Sequence, residues 1–317
     1  LRRWLVVLLT ACTLAAGSTT NAQAAEPPDP ATQPSWHFLL DFIKYGHQTN
    51  PPGMNNWRCK LRRHNPRPVI LVHGTFVSQS SSWGSFSPAL HNQGFCVFGL
   101  TYSALDLPFL PWRIGGMTGI PQGADELAAF VSRVRKATGA NKVDLVGHSQ
   151  GGTVIAYYLK FRGGARSTAN AISLAGPVYP PQADSTVRLF SDLSLAFTTF
   201  QMGLLQQANS PSTPRAVFTD LNRGGIAVRG PKYTTITTRY DEIAFPREIS
   251  VIPTGKPATR VRNVLLQDIC PNDYADHISL AADPNALALI RNVLRPRFAQ
   301  PIKCRRVLPV FGVDDVY

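Results

Sequence analysis

The feature that most constrains the fold is a stretch that starts at Lys142 and reads KVDLVGHSQGGTVIAYY. Its apolar residues Val143, Leu145 and Val146 predict a short strand, and the spacing of apolar residues from Thr153 onward predicts a helix. Between them lies Gly-His-Ser-Gln-Gly, whose glycines allow a turn too tight for other side chains. The sequence therefore predicts a strand, a sharp turn and a helix, with the hydroxyl of Ser149 exposed at the turn.

A serine in this position is a candidate nucleophile, and its surroundings suggest how a negative charge would be stabilised. The N–H of Gln150 begins the predicted helix, where the helix dipole favours an anion. A second donor is expected from the HGTF segment that follows the first predicted strand. Our candidate is the N–H of Thr75, and Phe76 is the alternative.

Strands alternate with helices along most of the chain, which predicts an α/β fold with a mostly parallel sheet and helices on both faces. The elements lie within residues 56–317. The predicted strands are Pro68 to Val72, Cys96 to Tyr102, Val143 to Val146, Ala171 to Ala175, Tyr233 to Tyr240 and Val261 to Gln267, and the predicted helices include Trp83 to Asn92, Gly123 to Thr138 and Pro284 to Leu294.

Two stretches do not follow this alternation. Residues 103–122 are rich in Pro, Gly and aromatic residues, and we expect them to form a wall of the site. Residues 177–214 contain an apolar centre between prolines, which predicts a helical insertion over the serine. Such an insertion is either a mobile lid that meets a lipid surface or a cap packed permanently on the body.

A serine nucleophile needs a histidine base and an acid. In α/β-hydrolases the serine comes first along the chain, then the acid and then the histidine. His277 is the only histidine after Ser149. Asp241 follows a predicted strand and is the preferred acid, with Asp268 in reserve. Glu242 should point elsewhere because side chains alternate along an extended chain. The expected triad is Ser149, His277 and Asp241.

The N-terminal residues predict export. A positive start, a short apolar run and an Ala-Gln-Ala site indicate a signal peptide over residues 1–24, followed by a proline-rich leader over residues 25–55. Cys12 lies in a context that resembles a lipidation site, so a lipid anchor is an alternative. We expect a protein that is secreted or associated with the cell envelope, without a transmembrane segment.

Four cysteines remain after the signal peptide, namely Cys59, Cys96, Cys270 and Cys304. An even number in an exported chain favours disulfides. Three connectivities are possible, and the sequence does not choose among them. Pairing Cys59 with Cys96 and Cys270 with Cys304 closes the shortest loops and is our expectation.

The formal net charge of +13 is partly local, because Arg58, Lys60, Arg62, Arg63 and Arg67 lie close together in the sequence. This excess could hold the protein near anionic polymers or lipid surfaces, or it could be a solvated face. The basic residues are not interleaved with aromatic ones, so we expect no nucleic-acid partner. No cofactor or metal site is expected, and Asp314 and Asp315 are interpreted as solvated.

Together these segments resemble the secreted bacterial class 2 triacylglycerol lipases and esterases, especially their actinobacterial members. The resemblance is carried by PVILVHGTF, KVDLVGHSQGG, TTRYDEIAFP, VRNVLLQDIC and DHISLAADPNALALIRNVL. TRYDEIAFP also resembles the segment that bears the acid in fungal lipase B enzymes, which supports Asp241. The resemblance implies a cofactor-free α/β-hydrolase that cleaves carboxylic esters of lipids.

Three alternatives remain at this stage. A short-chain esterase would use the same residues and differ only in the insertion. An envelope-associated acyltransferase would pass the acyl group to an alcohol instead of water. A binding protein that had lost catalysis would not need Ser149, Asp241 and His277 together.

Overall fold

The structure is a computed structural model that describes Trp36, Lys44 and residues 50–105, 113–180, 214–255 and 259–313. The strands of its main sheet are β1 (Val69–Val72), β2 (Val97–Leu100), β3 (Val143–His148), β4 (Thr168–Leu174), β5 (Lys232–Thr237) and β6 (Arg260–Leu265). The helices are α1 (Gln79–Ser82), α2 (Phe86–Asn92), α3 (Ile120–Thr138), α4 (Gln150–Phe161), α5 (Pro214–Asn222) and α6 (Pro284–Leu294). A two-residue antiparallel pair, β7 (Val307–Leu308) and β8 (Gly312–Val313), lies near the end.

The six strands form one parallel sheet in the order β2-β1-β3-β4-β5-β6. The chain moves outward from β1 to β2 and then crosses to the other side of β1 to form β3. This reversal places the carboxyl ends of β1 and β3 at a topological switch point, where open α/β sheets bind their ligands. The fold thereby selects the region where β1 and β3 end as the place to look for a site.

Helices cover both faces of the sheet, so its central strands are apolar on both sides. All four residues of β1 are buried. One core packs the sheet against α2 and α6, with Phe86, Leu90 and Ile290 among its buried members. The other packs it against α3, α4 and α5, with Leu127, Leu159 and Leu221. The predicted α/β class with helices on both faces is confirmed.

Local sequence explains where the long helices begin and end. Helix α6 starts with Pro284 after Asp283, whose side chain accepts hydrogen bonds from the N–H groups of Asn285 and Ala286. Pro at the first helical position and an aspartate cap are common at helix N-termini. Helix α3 ends at Gly139, which adopts a positive φ of 70°. Glycine is favoured at such a left-handed C-terminal position.

The disulfides join Cys59 to Cys96 and Cys270 to Cys304, as predicted. The first pair lies just before β2, at the edge where the parallel strands begin. The second lies after β6, at the edge where they end. Each disulfide therefore fixes a segment at a different edge of the sheet.

The predicted leader and body meet earlier than residue 56. Met54 forms a parallel bridge with Val97 at the start of β2, and the N–H of Asn55 donates to the carbonyl of Val97. Residues 50–55 therefore pack on the sheet rather than extend away from it. The predicted signal peptide and most of the leader lie outside the described residues, as do residues 181–213 of the predicted cap.

Candidate active site

Ser149 sits in a sharp turn between β3 and α4, as the sequence predicts. Its backbone adopts φ 53° and ψ −129°, a strained conformation for any residue with a side chain. Glycines make the turn possible. A Cβ on Gly147 would lie 2.6 Å from the backbone of Gly151, and one on Gly151 would lie 2.2 Å from the carbonyl oxygen of Val72. Both contacts are far too short, so only glycine fits at these positions.

The turn leaves the side chain of Ser149 half-buried and pins its backbone. The N–H of Ser149 donates to the carbonyl of Leu174 at 2.9 Å. Strain at a residue held in this way is a common feature of functional sites. The geometry has the form of a nucleophile elbow.

His277 and Asp241 form a buried pair. The Nδ1 atom of His277 lies 3.0 Å from each carboxylate oxygen of Asp241. Because a carboxylate accepts, Nδ1 carries the proton and Nε2 is left with a free lone pair. Both side chains are almost fully excluded from solvent, at 4% and 1% exposure. The structure thus orients the imidazole for use as a base.

Burial and charge act in opposite directions on this pair. Burial lowers the pKa of His277, but the carboxylates of Asp241, Glu242 and Asp276 outweigh it, so the pKa is raised overall. Burial raises the pKa of Asp241, and the His277 ring together with hydrogen bonds from the N–H groups of Ala244 and Ile243 lowers it below its usual value. The pair therefore favours an ionised acid and a readily protonated histidine.

The reserve acid does not reach the histidine. Asp268 is exposed in a short 3₁₀ helix, Leu266–Asp268, after β6. Asp276, which is next to His277 in sequence, accepts hydrogen bonds from the backbone and hydroxyl of Ser279 instead. Of the carboxylates that the sequence offered, the structure pairs Asp241 with the ring.

The backbone of His277 is held on both sides by residues that sequence reasoning did not assign to the site. Its N–H donates to Oε2 of Glu242 at 3.0 Å. Its carbonyl accepts a hydrogen bond from Nε2 of His148 at 2.8 Å. Glu242 therefore does not point away, because strand β5 ends at Thr237 and the chain from 238 to 242 no longer alternates as a strand. His148 could be inferred only from its place beside Ser149 in the GHSQG segment.

His148 also links the histidine loop to the elbow. Its ring packs on the ring of His277 with centroids 5.0 Å apart. Burial, together with the neighbouring His277, lowers the pKa of His148 to about 3. His148 is therefore neutral and acts as a hydrogen-bond donor. Among the described residues, no hydrogen bond joins the hydroxyl of Ser149 to the ring of His277, a looseness often seen in active sites without substrate.

The predicted anion-stabilising donors lie next to the serine. A Cβ on Gly74 would come within 3.0 Å of the Cβ of Ser149, so the chain at residues 74 and 75 runs directly against Ser149. Within the described part of the chain, the N–H groups of Thr75 and Gln150 donate to no other group. The alternative, the N–H of Phe76, donates to the carbonyl of Gly115 at 3.0 Å. This contact favours Thr75 over Phe76.

Two buried side chains fix this loop. Nδ1 of His73 donates to the carbonyl of Gly74 at 2.7 Å, and its ring stacks on Tyr102 at a centroid distance of 4.4 Å. Burial lowers the pKa of His73 to about 4, so the ring is neutral. The hydroxyl of Tyr102 lies 2.7 Å from Oε1 of Gln150. Sequence reasoning did not single out Tyr102, which connects the loop after β1 to the start of α4.

The stretch predicted to form a wall of the site does approach it in part. A Cβ on Gly116, which has φ +70°, would lie 2.7 Å from Oε1 of Gln150 and 3.0 Å from the Cα of Thr75. Leu105 pairs with Ile114 in an antiparallel bridge that closes this loop. Residues 106–112 lie outside the described ranges. The part from 113 to 119 therefore packs beside both anion-stabilising candidates.

The described residues contain no group of three or more His, Cys, Asp or Glu side chains arranged to hold a metal ion. None of the helices in the described ranges is long and apolar enough to cross a membrane. The polar groups around Ser149 are a histidine, carboxylates and backbone amides. This arrangement suits acyl transfer by a serine.

Residues 66–179 match the family model described as Lipase (class 2). The match runs from just before β1 through the elbow and contains Thr75, Ser149 and Gln150. This part of the chain is therefore similar to class 2 lipases. Asp241 and His277 lie outside residues 66–179, so the family match does not include them.

Curated relatives include two triacylglycerol lipases. The chain is 35% identical over 95 residues to the triacylglycerol lipase of Pseudarthrobacter phenanthrenivorans. The alignment covers 28% of this chain and 27% of the relative. A match of the same identity and length to the enzyme of Burkholderia plantarii covers 24% of that relative. The chain thus spans about a quarter of the length of the curated relatives it matches.

Among solved structures, the chain is similar to Aspergillus fumigatus lipase B, with a TM-score of 0.56. The match covers 80% of this chain and 57% of that one, at 17% sequence identity. At this identity the likeness shows the fold alone. Residues 66–179, which match the class 2 lipase model, therefore lie within an α/β-hydrolase fold.

Proposed function

We propose that the protein is a carboxylic ester hydrolase in which Ser149 is the nucleophile, His277 the base and Asp241 the acid. The observation that carries this proposal is the buried contact of His277 Nδ1 with Asp241 at 3.0 Å, in a loop that packs on the elbow of Ser149. The class 2 lipase match and the triacylglycerol lipase relatives support the same chemistry. The likeness in fold is compatible with it.

The first half of the reaction forms an acyl-enzyme. As Oγ of Ser149 attacks the ester carbonyl carbon, its proton passes to Nε2 of His277. Asp241 stabilises the resulting imidazolium and keeps Nδ1 protonated. When the tetrahedral intermediate collapses, the proton on Nε2 passes to the leaving alkoxide, which departs as an alcohol.

The negative charge of the tetrahedral intermediate needs donors that are already in place. The N–H groups of Thr75 and Gln150 supply them, and the N-terminus of α4 adds a favourable dipole. The hydrogen bonds of His73 and Tyr102 keep this loop from relaxing away from Ser149. Preorganised donors of this kind need no rearrangement as the charge develops.

Water completes the cycle. His277 takes a proton from a water molecule that attacks the acyl carbon, and the second tetrahedral intermediate releases the carboxylic acid as the proton returns to Ser149. Ester and water are consumed, and acid and alcohol are produced. None of these steps requires a cofactor.

The substrate class that fits is a lipid ester, by similarity to the triacylglycerol lipases. Export from the cell fits the two disulfides, which persist in oxidising compartments. The lipid substrate and the export from the cell are thus proposed in addition to the chemistry of the triad.

The decisive test is turnover of p-nitrophenyl butyrate by Ser149→Ala. We expect kcat to fall on the order of 10⁴-fold or more, because removing the nucleophile leaves only residual catalysis. Ser173→Ala is the matched control, since that nearby buried hydroxyl makes no hydrogen bond in the described part of the chain. Unchanged turnover in Ser149→Ala with the melting temperature preserved would reject the serine mechanism.

A second measurement separates a lipase from a short-chain esterase. Hydrolysis of tributyrin and triolein is followed across the solubility limit of each. We expect long-chain turnover that rises once droplets form, as for an enzyme that works at a lipid surface. Saturation below the limit, with only tributyrin cleaved, would identify an esterase.

A further inference from the structure

A cavity of about 690 Å³ lies at the edge where the parallel strands begin, away from Ser149. It is formed by the segment before β1, the first residue of β5 and the segment that follows α6. Its volume is in the range of pockets that hold small ligands. Because Ser149 and Asp241 follow the other ends of β3 and β5, the cavity is separated from them by roughly 20 Å, the length of a six-residue strand.

The charges that line this cavity all have one sign. Arg63, Arg67, Lys232, Arg295 and Arg297 contribute to its wall, and no Asp or Glu among the described residues does. We call this cavity with its five cations the basic cavity. Like charges placed together repel one another, so clustering these cations does not stabilise the fold unless an anionic ligand binds them.

Two of the five cations are held in place by neighbours. Nε of Arg67 donates to both oxygens of Asp144 at 2.9 Å. Arg295 donates to the side chain of Asn65 and to the carbonyl of Gln93. Burial lowers the pKa of Arg295, and the nearby Arg291 and Arg62 lower it further by repulsion. These contacts give the basic cavity a rigid base.

The other three cations are exposed and available. Within the described residues, Arg63, Lys232 and Arg297 form no ion pair or side-chain hydrogen bond. They come from three separate parts of the chain. The dipole of helix α6 favours a cation near its C-terminus, which can explain the position of Arg297. It does not explain Arg63 and Lys232, which belong to other elements.

Phe298 forms part of the same wall and is 58% exposed. Guanidinium groups bind phosphate through paired hydrogen bonds, and their planar faces stack on aromatic and apolar surfaces. An array of four arginines and a lysine around a concave surface suits several phosphate groups joined in one molecule.

We propose that the basic cavity binds a soluble polyanion that carries several phosphate groups. A bilayer of anionic lipid is the less suitable partner. Docking on a bilayer through this edge would direct Ser149 away from the surface that holds the lipid. A soluble phosphate-bearing polymer can bind at this edge without covering the opposite edge. It would tether the enzyme while the site around Ser149 stays open.

The test uses sodium tripolyphosphate as the probe and isothermal titration calorimetry on the full chain at low salt. We expect saturable binding that weakens as salt is added, because ion pairs with phosphate are screened. In Arg63→Gln/Lys232→Gln, binding should weaken about tenfold or more, since two charge-assisted hydrogen bonds to phosphate are lost. Both side chains are exposed, so the fold should be unaffected.

The matched control is Lys136→Gln/Arg223→Gln, which removes two exposed cations from α3 and the end of α5 on one face of the sheet. It should leave tripolyphosphate binding within about twofold of the wild type, since neither side chain lines the basic cavity. Equal weakening by the control pair would mean a diffuse surface field and overturn the proposal. Absence of wild-type binding would also overturn it.

Two further readouts separate this proposal from others. Vesicles of phosphatidylcholine with and without phosphatidylglycerol are tested in sedimentation with the same variants. Vesicle binding without tripolyphosphate binding would overturn the proposal in favour of a lipid surface. Turnover of p-nitrophenyl butyrate should be unchanged in both double variants, so failure of the ester hydrolase proposal and failure of this one give different results.

Discussion

The two edges of the sheet carry opposite charge in opposite environments. At the edge where the strands end, the carboxylates of Asp241, Glu242 and Asp276 are wholly or largely buried around His277. At the edge where the strands begin, arginines and a lysine are partly or fully exposed around the basic cavity. The charges gathered around His277 and those that line the basic cavity therefore differ in both sign and exposure.

The difference shows how burial decides what a charge can do. A buried carboxylate must be hydrogen-bonded, so it fixes its partners and shifts their pKa values. Asp241 and Glu242 do this to the ring and backbone of His277. An exposed cation is bound to water and remains free for a ligand. Changes at one edge should therefore leave the function of the other intact.

The largest effect is expected for Asp241→Asn. An amide cannot stabilise the imidazolium and favours the wrong tautomer of His277, so kcat should fall on the order of 10⁴-fold. Tripolyphosphate binding should be unchanged. Asp268→Asn is the control and should retain full turnover, because Asp268 is exposed at the surface. If Asp268→Asn is the damaging change, Asp241 is not the acid.

Deleting either disulfide should lower the free energy of unfolding by about 4 kcal/mol, as expected for loops of this length. The sequence separations are 37 residues for Cys59–Cys96 and 34 for Cys270–Cys304. Double Cys→Ala variants are compared by chemical denaturation.

The functional losses should differ between the two disulfide variants. Loss of Cys59–Cys96 should weaken tripolyphosphate binding, because this disulfide fixes the segment that carries Arg63. Loss of Cys270–Cys304 should lower kcat, because this disulfide anchors the chain that leads to His277. Equal losses of both functions in both variants would show that the edges are not independent.

A smaller effect is expected at Glu242. Glu242→Ala removes the acceptor for the N–H of His277, and kcat should fall about tenfold with little change in KM. Glu242→Gln keeps an acceptor but removes a negative charge that raises the pKa of His277. Its kcat should stay close to that of the wild type.

The pH profile of kcat/KM separates the two roles of Glu242. His277 must be neutral to act as a base, so activity falls as the pH drops through its raised pKa. Burial raises the pKa of Glu242 itself to about 6, with a contribution from Asp276, so Glu242 is ionised at neutral pH. In Glu242→Gln the acid limb should move to lower pH. An unmoved limb would assign Glu242 a purely structural role.

The smallest effect concerns Asp283, the cap of α6. Burial raises its pKa well above the usual value, and nearby Asp273 raises it further. A raised folded-state pKa means that stability is fully present below the unfolded-state pKa and is lost as the pH rises through the folded-state value. Asp283→Asn removes this charge but keeps a good cap.

We therefore expect Asp283→Asn to be more stable than the wild type at neutral pH by up to about 1 kcal/mol, with the gain vanishing in acid. Thermal melts at several pH values measure it. Asp220→Asn, an exposed acid on α5, should show no such trend. A neutral-pH loss of stability would mean that the Asp283 carboxylate is needed in its ionised form.

The elbow was predictable because its information is local. Gly147 is required by contacts with residues 151 and 152 of the same turn, whereas Gly151 is required by the backbone of Val72 and His73. The pattern that predicted the turn nevertheless lies wholly within residues 147–151. The same holds for the strands and helices, whose apolar spacing is visible in the sequence. The contact of Asp241 with His277 was predictable because Asp241 follows a strand whose end must lie at the same edge as Ser149.

Glu242 and His148 were not predictable as supports of His277, since their roles depend on how the chain leaves β5 and on contact across 129 residues. The basic cavity was also not predictable from the sequence. The sequence shows Arg63 and Arg67 as neighbours, but nothing in it places Lys232 and Arg297 beside them. The disulfide pairing was one of three that the cysteine count allowed.

The sequence by itself determined the alternation of strands and helices and the turn at Ser149, because each rests on patterns within one element. It also determined the order of the proposed triad, because His277 is the only histidine after Ser149. Only the tertiary structure decided which groups hold His277, which amide beside Ser149 is free, and where the basic residues gather. Those features arise when segments far apart in the chain meet at a sheet edge. Their hydrogen bonds and charges exist only once the parallel sheet has formed.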